Sequence, residues 1–168
     1  VMAMVGALGV LLPAQPAAAA DIYVGASEAL CGATSIHQAL DLAAATPADD
    51  EIRLTRTLVY TGVEIQILDW DSDDTGDLAL SGGWDDCLDS FAEGRTKLTG
   101  AGSGYVVGAM GTSGAAQIFT VTLRDLELTG ALTAVGSIGE TRLLLEGSRI
   151  HGNERGGGAA GGGRLEID

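Results

Sequence analysis

The chain has 168 residues, which is enough for one domain with a hydrophobic core but not for two. Its 9 Lys and Arg are outnumbered by 23 Asp and Glu, and the net charge of −14 argues against binding to nucleic acid or to an anionic membrane surface, since both would repel the protein. The 26 glycines and the aromatic content of 4% favour short strands and tight turns around an aliphatic interior.

The first twenty residues are predicted to be a secretory signal peptide. They are apolar as far as Leu12 and then change to Pro and small residues, with an Ala-x-Ala match at Ala18 to Ala20 that predicts cleavage before Asp21. The apolar run is too short to span a membrane. No Lys or Arg precedes it, and the alternative is a buried core helix. Cleavage would leave a domain at 21–168 that is secreted or displayed at the cell surface.

Cys31 and Cys87 are the only cysteines, and we expect them to form a disulfide. An exported protein meets an oxidising compartment, where a single cysteine pair is free to bridge. Because the loop between them is long, the bridge would stabilise the fold by about 4 kcal/mol. The alternatives are a catalytic thiol and a metal site, although no His stands at ligand spacing.

The segment TSIHQALDLAAATP predicts the one clear helix, at about 35–46. Ser35 is a suitable N-cap, and Gln38 three residues later completes a capping box. Apolar residues then recur at helical spacing on one face, and Pro47 ends the helix. His37 lies on the opposite, polar side, where a solvated residue is favoured over a catalytic one.

From about residue 51 the period changes to 2, in the segments EIRL, VEIQIL, LALSGG and TKLTG. Three later segments repeat at an offset of 22 residues, namely TVTLRDLELTG from Thr120, RLLLEGSRIHG from Arg142 and RLEID from Arg164. A fixed repeat favours a parallel β-helix over a sandwich or a barrel. Each strand would pair with its copy one coil away, and Gly130 and Gly152 would turn the corners at positive φ.

These segments, together with GGWDDC at 82–87, resemble the N-terminal region of secreted bacterial right-handed parallel β-helix proteins of the pectin-lyase-like fold, including the group with polymorphic outer-membrane-type repeats. The resemblance implies an all-β solenoid that the predicted helix caps at its N-terminal end. It assigns turn positions to Gly82, Gly83 and Asn153. An inward Asn153 would satisfy backbone groups of the turns, a structural role favoured over ligand binding.

The tract GGGAAGGG at 156–163 is predicted to turn between strands of adjacent coils, with a flexible linker as the alternative. The strand after it runs to Asp168 without a capping segment. Because repeat arrays need a terminal cap, we expect the chain to be the N-terminal portion of a longer protein. An open last coil would also support self-association.

An acidic stretch is a candidate calcium site, and calcium is the only cofactor that the sequence suggests. Its carboxylates alternate like the oxygen ligands of a calcium loop, at Asp69, Asp71, Asp73 and Asp77. The stretch departs from the EF-hand pattern, because Asp74 replaces the Gly and Leu80 replaces the bidentate Glu. A solvated acidic loop is therefore the alternative.

Asp85 and Asp86 superficially match the paired carboxylates of β-helix hydrolases. Adjacent strand residues point to opposite faces, and the His-Gly and Arg-x-Lys elements of those enzymes do not accompany them, so a turn role is favoured and no catalytic residue is assigned. The favoured function is a non-enzymatic scaffold, adhesin-like, that binds polysaccharide or another cell-surface ligand. The alternative is a polysaccharide-active lyase or hydrolase whose catalytic coils lie beyond residue 168.

Overall fold

The structure, a computed structural model, describes residues 18–70, 76–88, 94–111 and 118–167. Within these ranges the chain forms two short helices, α1 (Glu28–Cys31) and α2 (Ile36–Ala43). The strands are β1 (Asp21–Val24), β2 (Gly32–Ala33), β3 (Asp50–Thr55), β4 (Tyr60–Val63), β5 (Ile65–Trp70), β6 (Leu78–Trp84), β7 (Thr96–Gly100), β8 (Tyr105–Gly111), β9 (Phe119–Arg124), β10 (Leu126–Thr129), β11 (Thr133–Ile138), β12 (Thr141–Glu146), β13 (Arg149–Ile150), β14 (Arg155–Ala160) and β15 (Arg164–Ile167). The predicted all-β class is confirmed.

The strands form three parallel sheets. The first sheet has the order β15-β12-β9-β6-β3-β1-β2, the second β13-β10-β7-β4 and the third β14-β11-β8-β5. From β3 onward, the chain therefore contributes one strand to each sheet in turn before it returns to the first. We call each such set of three strands a cycle. From β3 onward, strands pair with those three positions before or after them along the chain, and β3 pairs in addition with β1.

In the last cycles, the residues that pair between neighbouring strands are 22 positions apart in the chain, which is the offset of the sequence repeat. Leu123 pairs with Leu145 in the first sheet, and Leu128 pairs with Ile150 in the second. Leu143 pairs in turn with Leu165. Parallel strands place equivalent residues side by side, so a sequence repeat of this kind becomes a stack of like side chains. These pairings confirm the predicted alignment.

Alternation along each strand sends apolar side chains into one continuous core. In the first sheet, Ile52, Leu80 and Leu123 are successive partners, and all three are fully buried. Strand β12 shows the alternation within one element, because Leu143 is fully buried and its neighbour Leu144 is only half-buried. Successive side chains of a strand point to opposite faces, so the core follows from the period-2 pattern.

Helix α2 packs its buried face against β1 and β3. Its predicted N-cap is confirmed, since the Ser35 hydroxyl accepts a hydrogen bond of 3.2 Å from the Gln38 N–H. The Gln38 side chain differs from a capping box, because its Oε1 accepts from the Thr34 N–H at 2.9 Å. The helix ends at Ala43, earlier than expected, and tight turns follow it. The sequence analysis also missed α1, β1 and β2.

The predicted disulfide between Cys31 and Cys87 is present, with a Cα–Cα distance of 4.9 Å and a sequence separation of 56 residues. It joins the end of α1 to the segment that follows β6. Gly25 lies against both sulfur atoms, and a Cβ atom at this position would overlap them. The bridge therefore fastens the helical N-terminal segment to the first strand cycles.

The glycine-rich tract differs from its predicted role as a turn. Its residues 156–160 belong to strand β14, which pairs with β11, and a turn begins only at Gly161. Backbone pairing needs no side chain, so the glycines continue the ladder of the third sheet. At Gly157 a Cβ atom would lie 2.8 Å from side-chain carbons of both Val135 and Leu165, which explains the absence of a side chain there.

The two glycines expected at corners have positive φ, 75° at Gly130 and 64° at Gly152, in agreement with the prediction. Gly82 and Gly83 differ, because both lie within strand β6 and not in a turn. The register between β3 and β6 shifts at this point, and Gly83 has a φ of 81°. The pair therefore forms an irregularity inside the ladder, where positive φ is accessible to Gly without steric cost.

The Asn153 side chain stabilises the turn between β10 and β11. Its Oδ1 accepts from the N–H of Ala131 at 2.9 Å, and its Nδ2 donates to the carbonyls of Leu128 and His151 at 3.0 Å. Position 131, one repeat earlier, is Ala, so no ladder of equivalent Asn side chains forms. The contacts of Asn153 are all with backbone groups, as its structural role requires.

Replacement of Asn153 by Ala is expected to lower the free energy of unfolding by about 2 kcal/mol, because three hydrogen bonds to a half-buried corner are lost together. Urea denaturation followed by circular dichroism would measure the loss. Glu154→Ala is the matched control, because Glu154 is exposed and its backbone contacts would remain. Equal stability of the two variants would contradict the structural role of Asn153.

Candidate functional site

The outward face of the first sheet carries an arginine–aromatic patch, formed by Tyr23, Arg53 and Trp84 from β1, β3 and β6. Tyr23 and Arg53 are direct cross-strand partners, and Trp84 lies opposite Thr55 just past the register shift. All three are half-buried residues. The alternation that buries Ile52 and Leu54 turns Arg53 outward, and the parallel register brings the aromatic side chains to either side of it.

Arg53 is the centre of the patch. Its guanidinium carbon lies 4.3 Å from the ring centroid of Trp84 and 5.2 Å from that of Tyr23, within cation–π range. The guanidinium donates to the Tyr23 hydroxyl, and it lies 3.0 Å from carboxylate oxygens of both Asp21 and Glu51. The two aromatic rings meet edge to face, with centroids 6.0 Å apart.

The patch is therefore fixed in one arrangement. The Arg53 side chain is only 13% exposed. Partial burial disfavours the charged guanidinium and acts to lower its pKa. Hydrogen bonds to Tyr23 and Glu51, together with the negative charges of Glu51 and Asp21, outweigh this effect, so the pKa of the guanidinium is raised. The Trp84 indole N–H is also engaged, since it donates to the Ser81 hydroxyl at 2.9 Å.

The same face continues as a row of charge pairs along the sheet. Arg124 on β9 pairs with Glu146 on β12 at 2.9 Å, and Arg142 on β12 binds Glu166 on β15 through two hydrogen bonds of 3.1 and 2.6 Å. A groove of about 220 Å³ separates this row from the patch, and its polar lining includes Asp21, Asp49, Glu51, Asp77, Thr122 and Arg124. The charge pairs and the lining of the groove make this part of the face polar and rich in carboxylates.

A second charged cluster lies on the four-stranded sheet that contains β10. The Glu127 carboxylate is 3.0 Å from Nε2 of His151 and 3.7 Å from Nζ of Lys97. Contact with His151, together with the positive charges of His151, Lys97 and Arg149, holds the pKa of Glu127 below its ordinary value, against the opposing effect of partial burial.

This lowered pKa predicts a pH dependence of stability. A carboxyl group with a depressed pKa in the folded state stabilises the fold above its ordinary pKa of 4.5, and this stabilisation is lost as the pH falls through the lower folded value. Glu127→Gln should therefore reduce the slope of stability against pH in the interval between the lowered pKa of the folded state and 4.5. Urea denaturation of both proteins across the acid range would test this, and parallel curves would contradict it.

The structure leaves the calcium prediction untested. Asp71, Asp73 and the side chain of Asp69 lie outside the described residues. Asp77 is described, and its Oδ1 accepts a hydrogen bond of 2.8 Å from the Thr120 N–H, which ties β6 to β9. Within the described ranges, no three His, Cys, Asp or Glu side chains are grouped as metal ligands would be.

Asp85 and Asp86 line a cavity of about 310 Å³ beside the disulfide, together with the exposed Leu30 and Leu88. Asp85 pairs with Arg56 at 2.6 Å, and Asp86 accepts from the Leu88 N–H at 2.9 Å. The second contact is typical of an Asp that stabilises a turn through its own local backbone. The contact of Asp86 is of the kind that a turn role requires, whereas Asp85 forms an ion pair with a residue 29 positions earlier in the chain.

The arginine–aromatic patch was not found by sequence reasoning. Alternation in DIYV and EIRL places Tyr23 and Arg53 on the outward side of their strands, so the sequence indicates weakly that both could lie on one exposed face. The repeat pattern did not predict that they pair, because two helices lie between β1 and β3 and because their offset of 30 residues differs from that of the later repeat.

No protein-family model, curated protein or solved structure matches this chain. Among the helices of the described part, none combines the length and the apolar character needed to cross a bilayer.

Proposed function

We propose that the chain is the N-terminal part of a secreted or surface-exposed right-handed parallel β-helix, a non-enzymatic scaffold that binds a cell-surface polysaccharide through the outward face of its first sheet. The observation that carries this proposal is the arginine–aromatic patch on the outward face of a parallel sheet. The strand cycles build the first sheet, so the scaffold and the proposed ligand-binding face belong to the same structure.

The strand order supports the β-helix. Three parallel sheets visited in a fixed rotation, with a constant offset of 22 residues in the last cycles, are what successive coils of a solenoid would produce. Right-handed crossovers between parallel strands are almost universal, which supports the proposed hand. Helix α2 would then cap the first coil, and the Cys31–Cys87 disulfide agrees with export to an oxidising compartment.

The composition of the patch supports ligand binding. Trp, Tyr and Arg are the residues that most often dominate the energetics of binding surfaces. Here the carboxylates of Asp21 and Glu51 hold Arg53 in place, and Arg53 contacts both rings before any ligand arrives, which reduces the entropy cost of binding. The net charge of −14 disfavours polyanionic ligands, so the proposed ligand is a neutral or amino-sugar polysaccharide.

The test is retention of the purified chain on immobilised neutral glucan, amino-sugar polymer and polyuronate, with release of soluble sugar measured in the same samples. We expect retention on the neutral or amino-sugar polymers, little on the polyuronate, and no soluble product. Trp84→Ala should reduce retention at least tenfold. Tyr105→Ala is the control, because Tyr105 is an aromatic residue of comparable exposure on the third sheet.

Release of soluble sugar would overturn the non-enzymatic proposal in favour of a polysaccharide-active enzyme. Equal losses in the two variants would show that the patch is not the binding surface. Retention on none of the polymers would overturn polysaccharide binding altogether.

A further inference from the structure

Asp50 is a buried carboxylate directed at the backbone nitrogen of Ala20. The residue is only 4% exposed. Its Oδ1 accepts from the Ala20 N–H at 2.7 Å, and its Oδ2 accepts from the Thr46 hydroxyl at 2.6 Å. Ala20 itself continues the ladder of the first sheet, because its carbonyl accepts from the Glu51 N–H at 3.0 Å.

Among the described residues, the Asp50 carboxyl group contacts neutral donors and no side-chain cation. In the described ranges no Lys, Arg or His side chain forms an ion pair with it, and its two hydrogen bonds come from a neutral amide and a neutral hydroxyl. An ionised carboxylate removed from water is costly unless an opposite charge compensates it. An ammonium group at the Ala20 nitrogen would supply that charge at the distance of a charge-assisted hydrogen bond.

The sequence allows an ammonium group to arise at this position. Signal peptidases require small residues one and three positions before the cut, and the alanines at 17–20 satisfy this for a cut on either side of Ala20. A cut before Asp21 would remove two hydrogen bonds, the one that the Ala20 N–H donates to Asp50 and the one that the Ala20 carbonyl accepts from the Glu51 N–H. A cut before Ala20 would keep both of them.

We propose that a signal peptidase of the secreting cell hydrolyses the Ala19–Ala20 bond, one residue earlier than the sequence pattern indicates, and that the new α-ammonium group of Ala20 pairs with buried Asp50. One water molecule is consumed. Its hydroxyl goes to the Ala19 carbonyl carbon, which leaves as a carboxylate, and the Ala20 nitrogen becomes the ammonium. This inference rests on the proposed export of the chain.

The first experiment is secretion of the full sequence, with an initiating Met, from a bacterial host, followed by N-terminal sequencing and intact mass. We expect a chain that begins at Ala20. An exported chain that begins at Asp21 or elsewhere would overturn this cleavage site and leave export standing. An uncut chain retained in the cytoplasm would overturn export and the cleavage site together.

The second experiment does not depend on export. Chains that begin at Ala20 or at Asp21, released from a removable tag, would be compared by thermal unfolding. The Ala20 chain should unfold at a midpoint about 5 °C higher, and Asp50→Asn should abolish this difference. Asp49→Asn is the matched control and should preserve it, because Asp49 is exposed and accepts from Asp77 instead. Equal midpoints for the two chains would overturn the role of the ammonium group.

Discussion

Removal of the Cys31–Cys87 disulfide is expected to lower the free energy of unfolding by about 4 kcal/mol. The bridge closes a loop with a sequence separation of 56 residues, and its loss restores the conformational freedom of that loop in the unfolded chain. The midpoint of thermal unfolding should fall by about 10 °C. Urea denaturation of the Cys31→Ala/Cys87→Ala double variant, compared with the oxidised protein, measures the effect.

Gly25 provides an independent test of the same bridge. Gly25→Ala should destabilise the oxidised protein, because the added methyl group overlaps both sulfur atoms, but it should have a much smaller effect in the double Ala variant. Gly156→Ala is the control, since a Cβ atom there meets open space. Additive effects of the Gly25 and cysteine changes would show that the bridge does not shape this region.

Replacement of Leu143 by Ala is expected to lower the free energy of unfolding by about 3 kcal/mol, and the same change at Leu144 by less than about 1 kcal/mol. Leu143 is fully buried and packs in the stack between Val121 and Leu165, whereas Leu144 points outward from the same strand. The two variants carry the same substitution in the same strand. The difference between their losses of unfolding free energy therefore depends on whether the side chain points into the core or outward.

Urea denaturation of both Leu variants provides the measurement. Similar losses would mean that β12 does not alternate between core and solvent, and a larger loss at Leu144 would mean that the register of β12 is shifted by one residue.

The sequence predicted what depends on local periodicity. The helix face, the Ser35 N-cap and the strand alternation all follow from spacing within a few residues. The pairing of Leu123 with Leu145 was also predictable, because the last cycles repeat without insertions. The single cysteine pair likewise left only one disulfide to consider.

The remaining features depend on contacts between segments of unequal spacing. The arginine–aromatic patch was missed because Tyr23 and Arg53 are 30 residues apart, with both helices between them. The β14 strand was predicted as a turn because its glycines lack the side chains that mark a strand, although their backbone pairs with β11. The sequence does not identify Asp50 as the buried partner of the Ala20 nitrogen, because local spacing does not distinguish it from its exposed neighbour Asp49.

The rotation of the chain through three sheets also determines how the molecule would respond to tension. From β4 onward, each strand pairs with its counterparts in adjacent cycles, so force applied along the stack would peel strands away one cycle at a time. Cys31–Cys87 bridges the segment between α1 and the end of β6 covalently. Peeling that reaches the first cycles would therefore halt at this cross-linked segment, and the folded remnant would serve as a template for refolding when the load is released.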